Sequence, residues 1–180
     1  MGTLLAAGED KSWKVRLAFA KNFSKFAYSF GREITDNNLI QTFCVLLQDN
    51  EPEVRLAAMD NISDCLKHIS IEKFTNLIMP TVINGYQDGN NQFKASVAYA
   101  LSHIAEYVGK DMTEAKIVPV LSELLGENNS EVQLNVVEGI KRIEKIVSLD
   151  CIVKTFFSAF NEMIVVQNWR VRMAIFELLG

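Results

Sequence analysis

The sequence predicts an all-α protein, an α-α superhelix built from stacked two-helix repeats. One observation is a period: a valine or phenylalanine recurs every 39 residues in the same turn-to-helix context, at Val15, Val54, Phe93, Val132 and Val171. Each of these anchors is followed by apolar residues at helical spacing, and no long stretch alternates with the period of two that a strand requires. A fixed period of this length indicates a repeat architecture.

The first helix of each unit begins near the anchor, which we number position 0. Four complete copies carry apolar residues at +4, +8, +11 and +15, and in the first copy these are Phe19, Phe23, Phe26 and Phe30. These steps place the side chains on one face of a helix. Position +16 is glycine in two copies, Gly31 and Gly109. A left-handed glycine there suits the end of a helix.

A second helix follows in each unit, with apolar residues at +24 and +28. In the first copy these are Leu39 and Phe43, and Pro80 and Pro119 share position +26 in later copies. Proline inside a helix removes a hydrogen bond, so the shared position predicts a kink. Each unit is therefore two antiparallel helices joined by a short polar turn. Because neither helix can bury its apolar face alone, neighbouring units must stack.

The ends of the sequence also follow the register. Leu4 and Leu5 fall where the second helix of a preceding unit would finish, and Gly180 falls midway through the helix that begins near Trp169. We expect a single array over residues 1–180, with about four complete repeats and partial repeats at both ends, cut from a longer solenoid. Uncapped end faces predict self-association.

Composition limits the classes of function. Of the 180 residues, 49% are hydrophobic, and the net charge of −4 argues against non-specific nucleic-acid binding. No apolar run is long enough to span a bilayer, and the opening MGTLLAAGED has neither the basic start nor the long apolar stretch of a signal peptide. Three cysteines at unrelated spacings are typical of buried thiols in a reducing compartment. We expect the cytoplasm or the nucleus, with no membrane partner.

Nothing in the chain predicts catalysis. There is no glycine-rich phosphate loop, GxSxG elbow or HExxH helix, and the carboxylates are spread over helix faces. His68 and His103 occupy different repeat positions and lack the spacing of metal ligands. We expect a protein without enzymatic activity, catalytic residues, cofactor or metal.

Two tryptophans stand out against the repeat. Trp13 and Trp169 lie two residues before their anchors, each followed by a cation, Lys14 and Arg170. The other copies place Pro52, Asn91 and Ser130 there, so the fold does not require tryptophan. Each tryptophan either packs over the first helical turn as a local staple or contacts a partner, because an exposed aromatic beside a cation is a frequent interface anchor.

The unit resembles a HEAT repeat in its length of 39 residues, its two helices, an Asp in the turn and Val-Arg at the start of the next helix. The Asp and basic residues that match are Asp10 with Arg16, Asp49 with Arg55, and Asp88 with Lys94. The resemblance implies that they form a hydrogen-bonded ladder between adjacent turns. The fourth copy departs from the pattern, with Glu127 for Asp and Gln133 for Arg.

The runs DKSWKVR, FGREIT, DNEPEVRLAA, SEVQLNVVEGI and NWRVRMAIFELLG are similar to the scaffold (A) subunits of protein phosphatase 2A, in their middle-to-C-terminal portion. The resemblance covers essentially the whole chain. It implies a non-catalytic scaffold whose turns bind a phosphatase catalytic subunit and regulatory B-type subunits. Trp169 and Arg170 match the catalytic-subunit site, and Trp13 and Lys14 match a turn used by regulatory subunits. The alternative is a HEAT-repeat module of another class, a nuclear transport receptor or a vesicle-coat adaptor.

Overall fold

A computed structural model describes residues 2–87, 89–163 and 168–179, apart from the side chains of Thr3 and Leu179. Over these ranges the chain forms helices and turns and no strand, which confirms the all-α class. The α-helices are α1 Gly2–Gly8, α2 Trp13–Lys21, α3 Phe23–Ile34, α4 Ile40–Leu47, α5 Pro52–Asp60, α6 Ile62–Cys65, α7 Ile71–Lys73, α8 Met79–Gly85, α9 Asn91–Val108, α10 Lys110–Met112, α11 Val118–Leu125, α12 Ser130–Ile143, α13 Leu149–Met163 and α14 Trp169–Leu179.

The helices fall into two compact units, Met1–Phe93 and Lys94–Gly180. Each unit keeps the two-helix pattern, with the first helix of a copy starting near its anchor and the second ending before the next polar turn. That the chain forms one array over residues 1–180 stays a prediction. No helix in the described ranges combines the length and the apolar character needed to cross a membrane.

In the first unit, the core lies between the first and second helices of each copy. The rings of Phe23 and Phe43 stack with their centroids 4.0 Å apart, and both side chains are fully buried.

The first helix is broken after α2, where the Asn22 side-chain amide donates to the Ala18 carbonyl at 2.8 Å. Asn61, one repeat later, makes the same bond to the Ala57 carbonyl between α5 and α6. Side-chain amides that bond to nearby carbonyls offer the backbone an alternative partner and weaken a helix interior.

In the second unit, the corresponding helices α9 and α12 run without a break. The asparagine position is Ala100 in α9 and Gly139 in α12. Gly139 lets the two helices approach closely, because a Cβ added there would lie 3.1 Å from the Cβ of Ser102. The buried face of α12 consists of Val132, Val136, Val137, Gly139, Ile140 and Ile143.

The second helix of the first three copies contains one turn of π-helix at the same repeat position, at Thr35–Leu39, Phe74–Ile78 and Thr113–Ile117. The last two of these turns end two residues before Pro80 and Pro119. In the first copy Gln41 stands at the proline position, so the wide turn forms without proline. Single π turns inside α-helices are frequent at functional sites. Here the turn recurs at the same position in three copies, so it is a structural feature of the repeat.

Gly31 and Gly109 have positive φ, 76° and 80°, as the sequence predicts for a residue that ends the first helix. Gly31 lies within the range given for α3, but its φ and ψ are not helical, so the first helix ends there at a kink. The ψ values of the two glycines, 173° and 178°, are extended, so the chain leaves the helix instead of closing it with a left-handed turn. The next buried threonine secures the junction, because Thr35 Oγ1 donates to the Gly31 carbonyl and Thr113 Oγ1 to the Gly109 carbonyl, both at 2.8 Å.

The copies with serine at +16 use a different junction, which we term the carboxylate clasp. The Ser70 backbone N–H donates to Asp36 Oδ1 at 3.0 Å, and the Ser148 N–H and hydroxyl donate to Glu114 Oε1 at 2.9 and 3.0 Å. The hydrogen bonds from Ser148 hold the pKa of Glu114 below its usual value. Each clasp joins one copy to the next, and glycine and clasp junctions alternate along the chain.

Candidate partner-binding surface

The turn before α2 is built around Asp10 and Arg16. Asp10 Oδ1 accepts the backbone N–H of Ser12 at 2.8 Å, which fixes the turn that delivers Trp13 as the first residue of the helix. Arg16 Nη1 donates to the Asp10 carbonyl at 2.8 Å, so the helix is tied back to the turn that precedes it. The turn therefore holds Trp13 at a defined position on the surface.

Arg16 also reaches the next turn. Its Nε and Nη2 donate to Asp49 Oδ2 at 2.6 Å and to Oδ1 at 2.8 Å, a bidentate pair in which the Asp49 side chain is nearly buried. Bidentate guanidinium–carboxylate pairs fix geometry as well as charge. These hydrogen bonds hold the pKa of Asp49 below its ordinary value. Asp49 Oδ1 also accepts the Glu51 N–H at 2.9 Å and so shapes its own turn.

The other residues of the proposed ladder make related contacts where the structure describes them. Arg55 Nη1 donates to the Asp49 carbonyl at 2.6 Å, and Lys94 Nζ lies 2.6 Å from Glu127 Oε1. Asp88, the residue that the resemblance pairs with Lys94, lies outside the described residues. The two residues of the fourth copy that depart from the HEAT pattern make such contacts too. The Glu127 carboxylate accepts a hydrogen bond from Lys94, and Gln133 Nε2 donates to the Glu127 carbonyl at 2.9 Å.

Both tryptophans begin a helix and are exposed to solvent. Trp13, at the start of α2, is 36% exposed, and Trp169, at the start of α14, is 60% exposed. The anchor Val171, two residues after Trp169, is fully buried, so the first turn of α14 presents its apolar anchor inward and its indole outward. Asn168 Oδ1 accepts the Arg170 N–H at 3.0 Å and caps this turn.

Each tryptophan carries its neighbouring cation over the ring. Lys14 Nζ lies 5.9 Å from the Trp13 ring centroid, and Arg170 Cζ lies 5.7 Å from that of Trp169. Both distances are within the range of cation–π attraction. Among the carboxylates that the structure describes, none forms an ion pair with Lys14 or Arg170. Each pair thus offers an apolar face and an unneutralised cation side by side.

The histidines and cysteines lie elsewhere and do not converge. His103 Nδ1 is 2.8 Å from the Tyr99 carbonyl, and the His68 ring packs edge-on against Tyr28 at 5.4 Å. Cys65 is buried, and burial raises the pKa of its thiol. Within the described ranges, no three His, Cys, Asp or Glu side chains form a group that could hold a metal ion.

Two features of the structure were not predicted from the sequence. One is the carboxylate clasp at Ser70 and Ser148, whose only sequence signal is an acidic residue at +21 of the preceding copy, Asp36 or Glu114. The other is an open depression of roughly 350 Å³ beside the first two turns. It is lined by Gly8, Glu9, Asp10, Arg16, Val45, Gln48, Asp49 and Asn50.

Comparison with known families finds one model, the PPP2R1A-like HEAT repeat, which matches residues 32–109. A comparison of the sequence with curated proteins found no match. The matched segment contains the second helix of the first copy, the whole second copy and the first helix of the third copy, so it covers the clasp between Asp36 and Ser70 and ends at Gly109.

Solved structures share the fold. The crystal structure of Cex1p superposes with a TM-score of 0.83 at 11% identity, over 97% of this chain and 33% of Cex1p. This chain thus spans about a third of the length of Cex1p. A computationally designed armadillo repeat protein for modular peptide recognition gives a TM-score of 0.68 at 18% identity, covering 98% of this chain and 79% of that one. A designed armadillo repeat protein in complex with the peptide (KR)4 gives 0.66 at 19% identity, covering 98% and 80%. At these identities the likeness shows the fold alone, and together with the HEAT-repeat match over residues 32–109 it confirms the fold class, an all-α repeat solenoid.

Proposed function

We propose that this chain is a non-catalytic scaffold of a protein phosphatase 2A-like holoenzyme, and that it holds the catalytic subunit and a regulatory B-type subunit through its turns. The observation that carries the proposal is the pair of exposed tryptophan–cation turns, Trp13 with Lys14 and Trp169 with Arg170. The match of residues 32–109 to a PPP2R1A-like HEAT repeat supports it. Repeat solenoids present extended surfaces for partners and seldom enclose a catalytic pocket.

The chemistry of these turns fits partner binding. Tryptophan and arginine are enriched among the residues that dominate binding energy, and they act best where the partner excludes water around them. Trp169 is mostly exposed in the free chain, so a partner that covers the ring gains its apolar area. Arg170 lies over the ring without a described carboxylate partner, which leaves its donors free for an acidic group on the partner.

A scaffold of this kind acts by raising effective concentration. When two partners bind to one frame, their encounter becomes intramolecular, and avidity rises without any new contact between them. The frame must hold its binding turns in fixed positions. The bonds of Arg16 to the Asp10 carbonyl and to Asp49 do this for the first two turns.

The test uses two matched double variants against two partners. We expect Trp169→Ala/Arg170→Ala to weaken binding of the phosphatase catalytic subunit at least about 30-fold, the effect of losing one dominant interface residue, and to leave regulatory-subunit binding unchanged. Trp13→Ala/Lys14→Ala should do the reverse. Surface plasmon resonance with the chain immobilised measures both affinities.

Undiminished binding of the catalytic subunit by Trp169→Ala/Arg170→Ala would contradict the site assignment. If the unchanged chain bound neither subunit but captured extended peptides, the alternative would be favoured, a HEAT-repeat module of another class such as a transport receptor or a coat adaptor. One designed neighbour in the fold comparison is described as made for modular peptide recognition and another is in complex with the peptide (KR)4, which is the observation behind that second candidate.

A further inference from the structure

The second helices of the first two copies enclose a polar depression. α4 packs against α8 and against the π turn Phe74–Ile78 that precedes it. The depression between them is open, measures about 330 Å³ and is lined by Gln41, Cys44, Gln48, Asn76, Leu77, Pro80, Thr81 and Asn84. We term its four amide residues, Gln41, Gln48, Asn76 and Asn84, the amide groove. The groove lies between two complete copies within the first unit, so neither end of the sequence contributes to it.

The amide side chains of the groove are available to a ligand. All four residues are exposed, and among the described residues none is a hydrogen-bond partner of these side chains. Thr81, which lines the same depression, is already engaged, because its hydroxyl donates to the Leu77 carbonyl at 2.7 Å. Each side-chain amide carries two donors and one carbonyl acceptor. No lining residue is charged, so the groove presents donors and acceptors without a net charge.

The repeat does not require amides at these positions. The four amides stand at +26 and +33 of the first copy and at +22 and +30 of the second. The same positions between the third and fourth copies carry no amide, since they hold Pro119, Gly126, Lys154 and Glu162. Both pairs of copies stack, because α11 packs against α13 as α4 packs against α8. The amides are therefore a property of this groove and not of stacking.

The amides alternate between the two walls of the groove. Second helices of successive copies run in the same direction, so the repeat position gives their order along the groove: Asn76, Gln41, Asn84 and Gln48. From +22 to +33 the order spans about 16 Å at a rise of about 1.5 Å per residue. An extended chain covers this distance with about five residues and directs successive peptide groups to opposite sides. The spacing therefore suits an extended chain that lies along the groove and is contacted from both walls.

We propose that the amide groove binds an extended peptide segment through its main chain. A peptide group is uncharged and combines one donor with one acceptor, which is the chemistry that the side-chain amides complement. A phosphorylated or otherwise charged ligand would find no opposite charge among the lining residues. Because main-chain contacts leave the side chains of the peptide free, the groove accepts many sequences.

The groove also leads to the candidate partner-binding surface. Gln48 lines both the amide groove and the depression beside the first two turns. A segment that leaves the groove at this end therefore reaches the turns built around Asp10 and Asp49. The inference goes beyond the proposed phosphatase scaffold, and its test contains no phosphatase subunit, so either one can fail without the other.

The test measures peptide binding to the whole chain by fluorescence anisotropy. The probe is a fluorescein-labelled, end-blocked hexapeptide of alternating threonine and valine, residues that favour an extended chain. We expect Gln41→Ala/Asn84→Ala to weaken its binding at least about 10-fold, the effect of losing two neutral hydrogen bonds. The same hexapeptide with methyl groups on its peptide nitrogens should not bind, because it has lost its main-chain donors. A hexapeptide of alternating serine and isoleucine should bind within about threefold of the probe.

The matched control is Asn37→Ala/Asn38→Ala. These two amides are also exposed and belong to the π turn Thr35–Leu39, but they do not line the groove, so the double variant should bind the probe like the unchanged chain. Far-UV circular dichroism checks that both double variants are folded.

A cysteine within the groove reports where the peptide binds. Cys44 lines the groove and is half-buried, and Cys151, on α13, is half-buried outside it. Saturating probe should slow alkylation of Cys44 by iodoacetamide and leave that of Cys151 unchanged. The proposal is overturned if the probe does not bind at about 1 mM protein. Equal binding of the methylated hexapeptide, or binding that leaves Cys44 unprotected, would overturn it as well.

Discussion

Replacing Gly31 and Gly109, the glycines that end the first helices, measures how much the free energy of unfolding depends on the backbone conformation at these two junctions. Gly31 and Gly109 combine positive φ with extended ψ, a region that only glycine occupies without strain. A Cβ added at either residue meets no atom within 4 Å, so alanine there introduces backbone strain and no steric contact. The strain costs about 1–3 kcal/mol, and the lower entropy of the unfolded chain offsets about 0.4–1 kcal/mol of it.

Gly85 is the matched control. A Cβ there also meets nothing within 4 Å, and Gly85 is not among the positive-φ glycines. Gly85→Ala should therefore stabilise the chain by about 0.4–1 kcal/mol. We expect Gly31→Ala and Gly109→Ala to be less stable than Gly85→Ala by about 2 kcal/mol, which is a shift of about 1 M in the urea midpoint at an ordinary slope.

The assay is urea unfolding followed by far-UV circular dichroism, with the midpoint and slope fitted for each variant. If Gly31→Ala and Gly109→Ala unfolded at the same urea concentration as Gly85→Ala, the positive φ would not be a constraint of the folded chain. The attribution of the helix ends to glycine would then be wrong.

Three further predictions concern charge, packing and reactivity. The pKa of Asp49 is lowered because Arg16 donates to its carboxylate, so its stabilisation is present above the ordinary value of 3.8 and is lost as pH falls through the lowered folded-state value. The urea midpoint of the unchanged chain should therefore fall more steeply than that of Asp49→Asn between about pH 5 and pH 2. Phe43→Ala should cost about 3–5 kcal/mol by urea unfolding, because it removes a buried ring stacked on Phe23. Cys65 should react with a thiol reagent only after unfolding, because burial removes access to its thiol and raises its pKa.

Each of these has a control. Asp150→Asn, which removes an exposed ion pair with Lys154, should change the urea midpoint at neutral pH far less than Asp49→Asn does. Phe157→Ala, at an exposed ring, should lose far less stability than Phe43→Ala; equal losses would contradict the packing argument. Cys151 is only half-buried and should label in the folded chain, and labelling of Cys65 at a similar rate would show that its helix opens readily.

Apolar periodicity accounts for most of what could be predicted of the fold. Position +8 holds Phe23, Ile62, Leu101 and Ile140 in the four copies, and each is at most 1% exposed. The period alone places them on the buried face, because apolar residues that recur at helical spacing lie on the same side of a helix. The positive φ of Gly31 followed from glycine at a helix end, although the extended ψ did not.

The contacts between copies could not be predicted in the same way. Arg16 is six residues from Asp10, yet its guanidinium reaches the carboxylate of Asp49, 33 residues away. Which of the two aspartate carboxylates pairs with the guanidinium depends on the distance between stacked turns. This distance is set by the tertiary packing of the repeats. The π turns are likewise not marked by proline, since one forms at Thr35–Leu39 without it.

In the sequence, the candidate site could be recognised only because two of its residues depart from the repeat pattern. The sequence shows that Trp13 and Trp169 are not needed by the repeat, but it cannot show whether a ring packs inward or faces solvent. The structure gives the exposure and places a cation over each ring. The partner-binding role of the two turns stays a prediction, because it depends on the shape and charge of a second molecule.

The alternation of junctions has a consequence for how such a chain can be lengthened or shortened. Asp36 caps the N–H of Ser70, whereas the N–H of Gly109 is already bonded to the Ala105 carbonyl at 3.0 Å. Excising the second 39-residue copy alone would set Asp36 against Gly109, whose N–H is already used within its own helix. Excising two copies would restore the original order of acid and serine. The pair of repeats is therefore the smallest unit that can be duplicated, deleted or transplanted while every acidic residue still faces a serine.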